Sequence, residues 1–191
     1  LKALQYQINP HFLFNALNTI SAYCRENPER ARSLLLAMSS YFRNTLSTHK
    51  DKVDIHEEIE HVLSYLEIEK ARFEDRLEIV IDASPKLHFQ VPNFIIQPLV
   101  ENAIKHGMKN HLRIVIRVTE LKKVYQVCVE DDGNGINHEI IEKLYLNQHD
   151  QDKIGLANTH HRLHRLYPNN KGLIIESVPF EQTRITMEIP K

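Results

Sequence analysis

The sequence has no tryptophan, and across 191 residues it holds only two cysteines and five glycines. Cys24 and Cys128 are too few for a disulfide framework, so a reducing compartment fits best. Neither sign of charge dominates. Lys and Arg number 24, Asp and Glu 25, and the formal net charge is −1. That balance excludes a global basic field recruiting nucleic acid or anionic lipid. No apolar run approaches the roughly 20 residues that span a bilayer, and no signal peptide is visible. Internal repeats and low-complexity tracts are also missing. What remains is 42% hydrophobic, enough for a buried core and too much for a disordered tail. At roughly 150 residues per domain, the length suggests one domain or two small ones. The first residue, Leu1, already lies in a helical pattern, which predicts the C-terminal piece of a longer protein.

Hydrophobic spacing makes the first half helical. Leu1, Leu4 and Ile8 lead into Phe12, Leu13, Phe14, Leu17 and Ile20, and Pro10 is expected to bend this helix. Asn27-Pro28 predicts a break and restart, with a second helix over 29–47 carrying Leu34, Leu35, Met38, Tyr41, Phe42 and Leu46. Two helices alone enclose no core. Two docked hairpins would, as a four-helix bundle, which predicts a homodimer. Asp54, with Glu57 three residues on, reads as a capping box opening a helix to about Phe73. Leu77, Ile79 and Ile81 then alternate as in a strand. A helix is expected over 93–106, ended by Gly107 as a C-terminal cap. Strands at 112–119 and 124–130, a loop with a short helix over 133–153, a helix over 155–166 and a hairpin of 173–177 with 184–189 complete the pattern. The fold class expected is α+β: an N-terminal helical hairpin followed by an α/β sandwich.

Four segments carry candidate chemistry. Asp131-Asp132-Gly133-Asn134-Gly135-Ile136 closes an apolar strand. Its carboxylate, followed by two positions without Cβ, would let a flat ligand lie against the main chain, with Asp131 accepting from an exocyclic amine. Taken alone, Asp-Gly is an ordinary turn. Ile154-Gly155-Leu156-Ala157-Asn158 opens a helix whose N-terminal amides attract anions, and Lys153 adds a charge. On a third segment, Asn102, Lys105 and His106 share a helix face suited to a magnesium-bound polyphosphate, although a solvated face reads the same way. In the fourth, His11, Asn15 and Asn18 form a polar stripe among bulky apolar neighbours. Neutral imidazole is a good nucleophile near pH 7. No Walker or Rossmann glycine motif is present. His160 and His164 lack a third metal ligand and are taken as surface or packing residues. The string from Glu67 to Phe73 reads as a helix laced with ion pairs rather than a site.

Each segment is weak alone, but their order resembles a sensor histidine kinase of the LytS/YehU type, within the Bergerat-fold superfamily. Asn9-Pro10-His11-Phe12-Leu13-Phe14-Asn15 resembles the phosphoacceptor segment. The run from Gln97 to Gly107 resembles the asparagine box, and the two glycine segments resemble the family's glycine boxes. Thr183 matches the threonine before the last strand. The resemblance implies a dimeric phosphotransfer hairpin, residues 1–51, and an ATP-binding sandwich, residues 52–191. It implies ATP and Mg²⁺ as cofactors, His11 as phosphoacceptor, and Asn102 on Mg²⁺. Lys105 and His106 would approach the phosphates. Asp131 would recognise adenine with Thr183 nearby. Gly133, Gly135, Ile136, Lys153, Gly155 and Leu156 would close around the nucleotide, with 136–154 as a lid. Asn15 is a candidate for a phosphatase reaction. The implied partners are a second copy and a response regulator receiver domain, with no nucleic acid. The implied location is the cytoplasmic side, attached upstream to a sensor in the bacterial inner membrane.

Departures from the family pattern are equally legible. Phe12 stands where many related kinases carry an acid after the histidine, so the other ring nitrogen must be oriented from elsewhere. Pro98 stands where gyrase-like enzymes carry a general-base glutamate, which leaves Glu101 as a substitute candidate. Lys153 and Gln182 replace common glycines. Two other classes are weighed beside the kinase: a Bergerat-fold ATPase or anti-sigma-type serine kinase, and a non-catalytic dimerisation module.

Overall fold

A computed structural model describes residues 9–47, 50–146 and 154–191. Asn9 opens the first helix, α1 (Pro10–Glu26). Its side-chain oxygen accepts from the amides of His11, at 3.1 Å, and Phe12, at 3.4 Å. Pro10 therefore occupies a first-turn position, where its missing N–H costs nothing. The expected run through Leu1, Leu4 and Ile8 lies outside the described residues. Asn27 both ends α1, donating to the Tyr23 carbonyl, and starts α2 (Pro28–Ser47), accepting from the Arg30 amide. One residue thus makes the hairpin joint.

Strand β1 (Lys52–Asp54) runs directly into helix α3 (Ile55–Phe73). Asp54 caps α3 by accepting from His56 N at 2.9 Å. Glu57 does not complete a capping box; its carboxylate stands 4.0 Å from Lys50 Nζ. A 3₁₀ turn leads to β2 (Leu77–Ala83), then β3 (Gln90–Pro92), which pairs antiparallel with β1. These two three-residue strands were not foreseen, because three residues carry no readable period. Helix α4 (Gln97–Gly107), strands β4 (Leu112–Glu120) and β5 (Val124–Asp131), helices α5 (His138–Tyr145) and α6 (Ile154–Leu166), and strands β6 (Ile174–Val178) and β7 (Gln182–Pro190) follow.

The main sheet has the order β2-β4-β5-β7-β6, with β2–β4 parallel and every other pair antiparallel. Register builds its two faces. Ile116, Val129 and Ile185 lie in one row across three strands and are all buried under the helices. The opposite face carries ion pairs, Arg117 to Asp82 at 2.9 Å and Arg184 to Glu130 at 3.3 Å. Helix α4 lies across β4 and β5 with Leu99 and Val100 fully buried, and α6 packs beside it. The expected α+β architecture is present.

Helix α3 joins the two halves. One side meets the hairpin, where Tyr65 packs on Phe12, and the other holds the loop before α4. Glu58, with no exposed surface, accepts from Phe94 N and Ile96 N, both at 2.8 Å. Phe94 sits at φ 54°, a left-handed conformation that costs an ordinary side chain about 1 kcal/mol or more. This is why α4 begins at Gln97 and not at Asn93 as expected. Gly107 is likewise not a left-handed cap. It is the last helical residue, and a Cβ there would meet Leu112 at 3.0 Å and an Asp131 oxygen at 3.1 Å. Glu58→Ala should strand two amides and destabilise the fold by about 2–3 kcal/mol. Chemical denaturation tests this, and an unchanged midpoint would show that the amides find other partners.

Candidate functional site

A cavity of about 760 Å³ lies where α1, α3, α4 and the start of α6 converge. That volume falls within the roughly 300–1,000 Å³ typical of ligand pockets. Its wall includes His11 from α1, Asn102, Lys105 and His106 from α4, and Gly155 and Leu156 from α6. His11 and His106, 95 positions apart in sequence, thus face one space. Lys105 and His106 are exposed, and Asn102 is half-buried. Asn102 supplies a neutral oxygen at the wall, which fits a hard cation that keeps most of its water.

His11 stands exposed at the start of α1. Asn15, one turn on, places its amide nitrogen 3.0 Å from His11 Nδ1. The group that orients the second ring nitrogen, sought in vain next to His11 in sequence, is this side chain. Phe12, which follows His11, points the other way, into the core between Tyr41 and Tyr65.

Two further cavity residues were misjudged from sequence. Glu69 and Arg72 form the expected ion pair along α3, at 3.1 Å, yet both line the cavity. Their i, i+3 spacing announced the pair, but only the tertiary packing places it opposite Asn102. Glu101 also lines the wall, accepting from Gln97 Nε2 at 2.6 Å. Burial pushes both Glu69 and Glu101 above the ordinary carboxylate range.

The Asp131 motif adjoins the C-terminal end of α4. Asp131 and Thr183 are register partners on β5 and β7, and both are buried. Asp131 Oδ1 accepts from Gly133 N at 3.0 Å. A Cβ on Gly133 would fall 2.3 Å from Gly107 Cα, so backbone meets backbone here. Gly135 has φ 69°, and a Cβ there would strike the Val178 carbonyl at 2.3 Å. Ile136 N donates to Ser177 Oγ, which lies 3.2 Å from Thr183 Oγ1. Asn134 Nδ2 donates to the His106 carbonyl at 2.9 Å, tying the motif to the α4 face. Gly155 opens α6 exposed, with Pro98 Cβ 3.9 Å from where its own Cβ would stand. Lys153 and the stretch 147–153 of the expected lid lie outside the described residues. His160 proves to be a packing residue, as expected: it is buried and accepts from Leu173 N at 3.0 Å.

Comparison with known proteins follows the same division. The histidine kinase family matches residues 1–77, and the histidine kinase-, DNA gyrase B-, and HSP90-like ATPase family matches residues 92–191. Sensor histidine kinase YpdA of Escherichia coli is 41% identical over 194 residues, covering 100% of this chain and 34% of the relative. Sensor protein LytS of Bacillus anthracis is 39% identical over 199 residues, again 100% of this chain and 34% of the relative. The chain thus spans about a third of the length of the curated relatives it matches. Among solved structures, the catalytic domain of histidine kinase ThkA aligns with TM-score 0.61 at 19% identity, over 73% of this chain and 95% of its own. The histidine kinase domain of a blue-light activated kinase from Erythrobacter litoralis aligns with TM-score 0.54 at 14% identity, over 99% of this chain and 92% of its own. At those identities the structures speak for the fold. Among the described residues, no helix is long and apolar enough to cross a membrane.

Burial raises the Asp131 carboxyl from 3.8 to about 6, more than its bond from Gly133 lowers it. A raised carboxyl contributes its full stability below the unfolded value and loses it as pH climbs through about 6. The loss amounts to at most about 3 kcal/mol. Asp131→Asn should therefore raise the thermal midpoint of the nucleotide-free chain at pH 7, and raise it much less at pH 4. Scanning calorimetry at the two pH values checks this, and an equal shift at both would show that the Asp131 carboxyl does not oppose folding as it ionises.

Proposed function

The chain belongs to the histidine kinase family, and from that premise we propose that it is the ATP-dependent kinase core of a two-component sensor. In this reading it phosphorylates its own His11 and passes the phosphoryl group to an aspartate of a response regulator receiver domain. The observation that carries the proposal is the shared cavity: His11 faces the same space as Asn102, Lys105, His106 and Gly155.

ATP lies with its adenine against Asp131, whose second oxygen accepts from the amino group, and Thr183 closes the same end. Gly133, Gly135 and Ile136 bring main chain against the base. The triphosphate runs along α4 toward the amides at Gly155 and Leu156, where the helix N-terminus favours negative charge. Lys105 and His106 face the phosphates. Arg72, held by Glu69, supplies a guanidinium fork suited to phosphate oxygens. Asn102 would hold Mg²⁺, which neutralises phosphate charge.

His11 Nε2 attacks the γ-phosphorus as the bond to the bridging oxygen breaks and ADP leaves with the electron pair. Catalysis is mainly positioning and charge neutralisation. Attack through Nε2 needs the proton on Nδ1. The Asn15 amide nitrogen stands nearest Nδ1; turning the amide over, which leaves its shape unchanged, brings Oδ1 there to accept that proton. The product keeps that proton, so no general base is required, in keeping with Pro98. One chain supplying both histidine and cavity supports transfer within a subunit.

The hairpin of residues 1–51 would dimerise through its uncovered apolar side chains, Phe14, Leu17, Leu35 and Leu36, all exposed in the single chain. Residues 52–191 would act as the ATP-binding domain. The core would work on the cytoplasmic side, joined to a membrane sensor.

Incubation with γ-labelled ATP tests the reaction class. Wild type should take up acid-labile, base-stable label, and His11→Gln should take up none. Protein label that survives in His11→Gln would favour the serine kinase reading, and labelled inorganic phosphate released without protein label would favour the ATPase reading. In the same assay Asn15→Ala should slow labelling roughly tenfold or more through loss of ring alignment, while Asn15→Asp, an obligate acceptor, retains it. Asn15 would also orient water for dephosphorylating the regulator, and Asn15→Ala should slow that loss. An unchanged labelling rate would leave Asn15 only this second role.

A further inference from the structure

We propose that Asp54, His56 and His88 form a binding site for one divalent transition-metal ion of the zinc class, at the corner where β1, β3 and α3 meet. Among the described residues these three side chains form the one group of His, Cys, Asp and Glu whose donor atoms converge. One donor atom from each lies within 4.8 Å of the others. The site is remote from the His11 cavity, whose wall includes none of the three.

The backbone fixes the arrangement. Asp54 pairs with Gln90 in the β1–β3 ladder, and Ile55 N donates to the Phe89 carbonyl at 3.0 Å. Those bonds set His88, next to Phe89, against the first turn of α3. Asp54 divides its carboxylate between two tasks. Oδ1 caps the helix on His56 N, and Oδ2 stands 3.3 Å from His88 Nδ1. Donors bound to zinc at about 2.0–2.1 Å in a tetrahedron stand roughly 3.3–3.4 Å apart, so this pair already spans one edge. The rings of His56 and His88 meet edge to face with centroids 4.9 Å apart. His56 Nε2 is enclosed and has no hydrogen-bond partner, an unmet polar atom in a cluster of donors.

The donor set selects the ion. Two imidazoles and one carboxylate suit zinc and its neighbours, while magnesium prefers oxygen ligands and stays with the nucleotide. Three protein ligands leave a fourth position for water on the exposed His88 side. A bound ion would pin the start of α3 to β3, one turn ahead of Glu58, and so raise the thermal midpoint.

Cobalt titration of the nucleotide-free chain in excess Mg²⁺ tests the proposal. The expected result is the intense visible absorption of tetrahedral Co²⁺, saturating at one equivalent, displaced by Zn²⁺ and accompanied by a higher thermal midpoint. His88→Gln and His56→Gln should each weaken binding by more than roughly tenfold, the least that losing even an outer partner costs. Circular dichroism confirms that both variants fold, and His88, being exposed, should tolerate the change. Absence of stoichiometric uptake would overturn the proposal. So would uptake that survives both variants, or uptake lost instead in His160→Gln or His164→Gln.

Discussion

Phe12 lies between the rings of Tyr41 and Tyr65, with centroids 5.0 and 4.9 Å away, and the place of His11 follows from that contact. The three rings come from α1, α2 and α3, and all are buried. Aromatic pairs of this kind contribute about 0.5–1.5 kcal/mol beyond their buried area. With Phe12 pointing inward, the neighbouring His11 must point outward, into the cavity that α4 lines from the other side. An acid at position 12 would give His11 a partner for Nδ1 but break this anchor. The chain places the partner at Asn15 instead, one turn along, and keeps an aromatic where the helices meet.

The buried acids show where stability is given up. Glu69, Glu101 and Asp131 are each shifted upward by burial, which disfavours their ionised forms. Groups displaced in this way cluster where charge is used. Asp131 follows the buried Val127 and Val129 on the inner face of β5, between Ile114 and Thr183 of the neighbouring strands, where a hydrophobic residue would pack at lower cost. Glu58 is the contrasting case. Its carboxylate is equally buried, yet it is committed to the amides of Phe94 and Ile96 and serves the shape of the loop before α4.

The motifs were legible because their chemistry is local. The Asp54 cap, the glycines of the β5 loop and the polar face of α4 each lie within a few residues of chain. Gly133 was read as leaving room for a ligand against the main chain; in the structure its missing Cβ also admits Gly107, which was itself read as a cap. What escaped notice depends on long-range contact. The α4 start shifted by four residues because Glu58, 38 positions before Ile96, takes the amide. Strands β1 and β3 are too short to announce themselves. Glu69 and Arg72 read as a surface pair because nothing near them in sequence shows that α1 and α4 converge on that face.

The central claim is that one chain presents its histidine to its own nucleotide cavity. Mixed dimers of His11→Gln and Asn102→Ala chains test it directly, using subunits of different size so that each can be resolved on a gel after incubation with γ-labelled ATP. Transfer within a chain predicts no label on either subunit, because one lacks the acceptor and the other a working cavity. Label on the Asn102→Ala subunit would mean that His11 is served by the neighbouring chain's cavity, and would contradict the account.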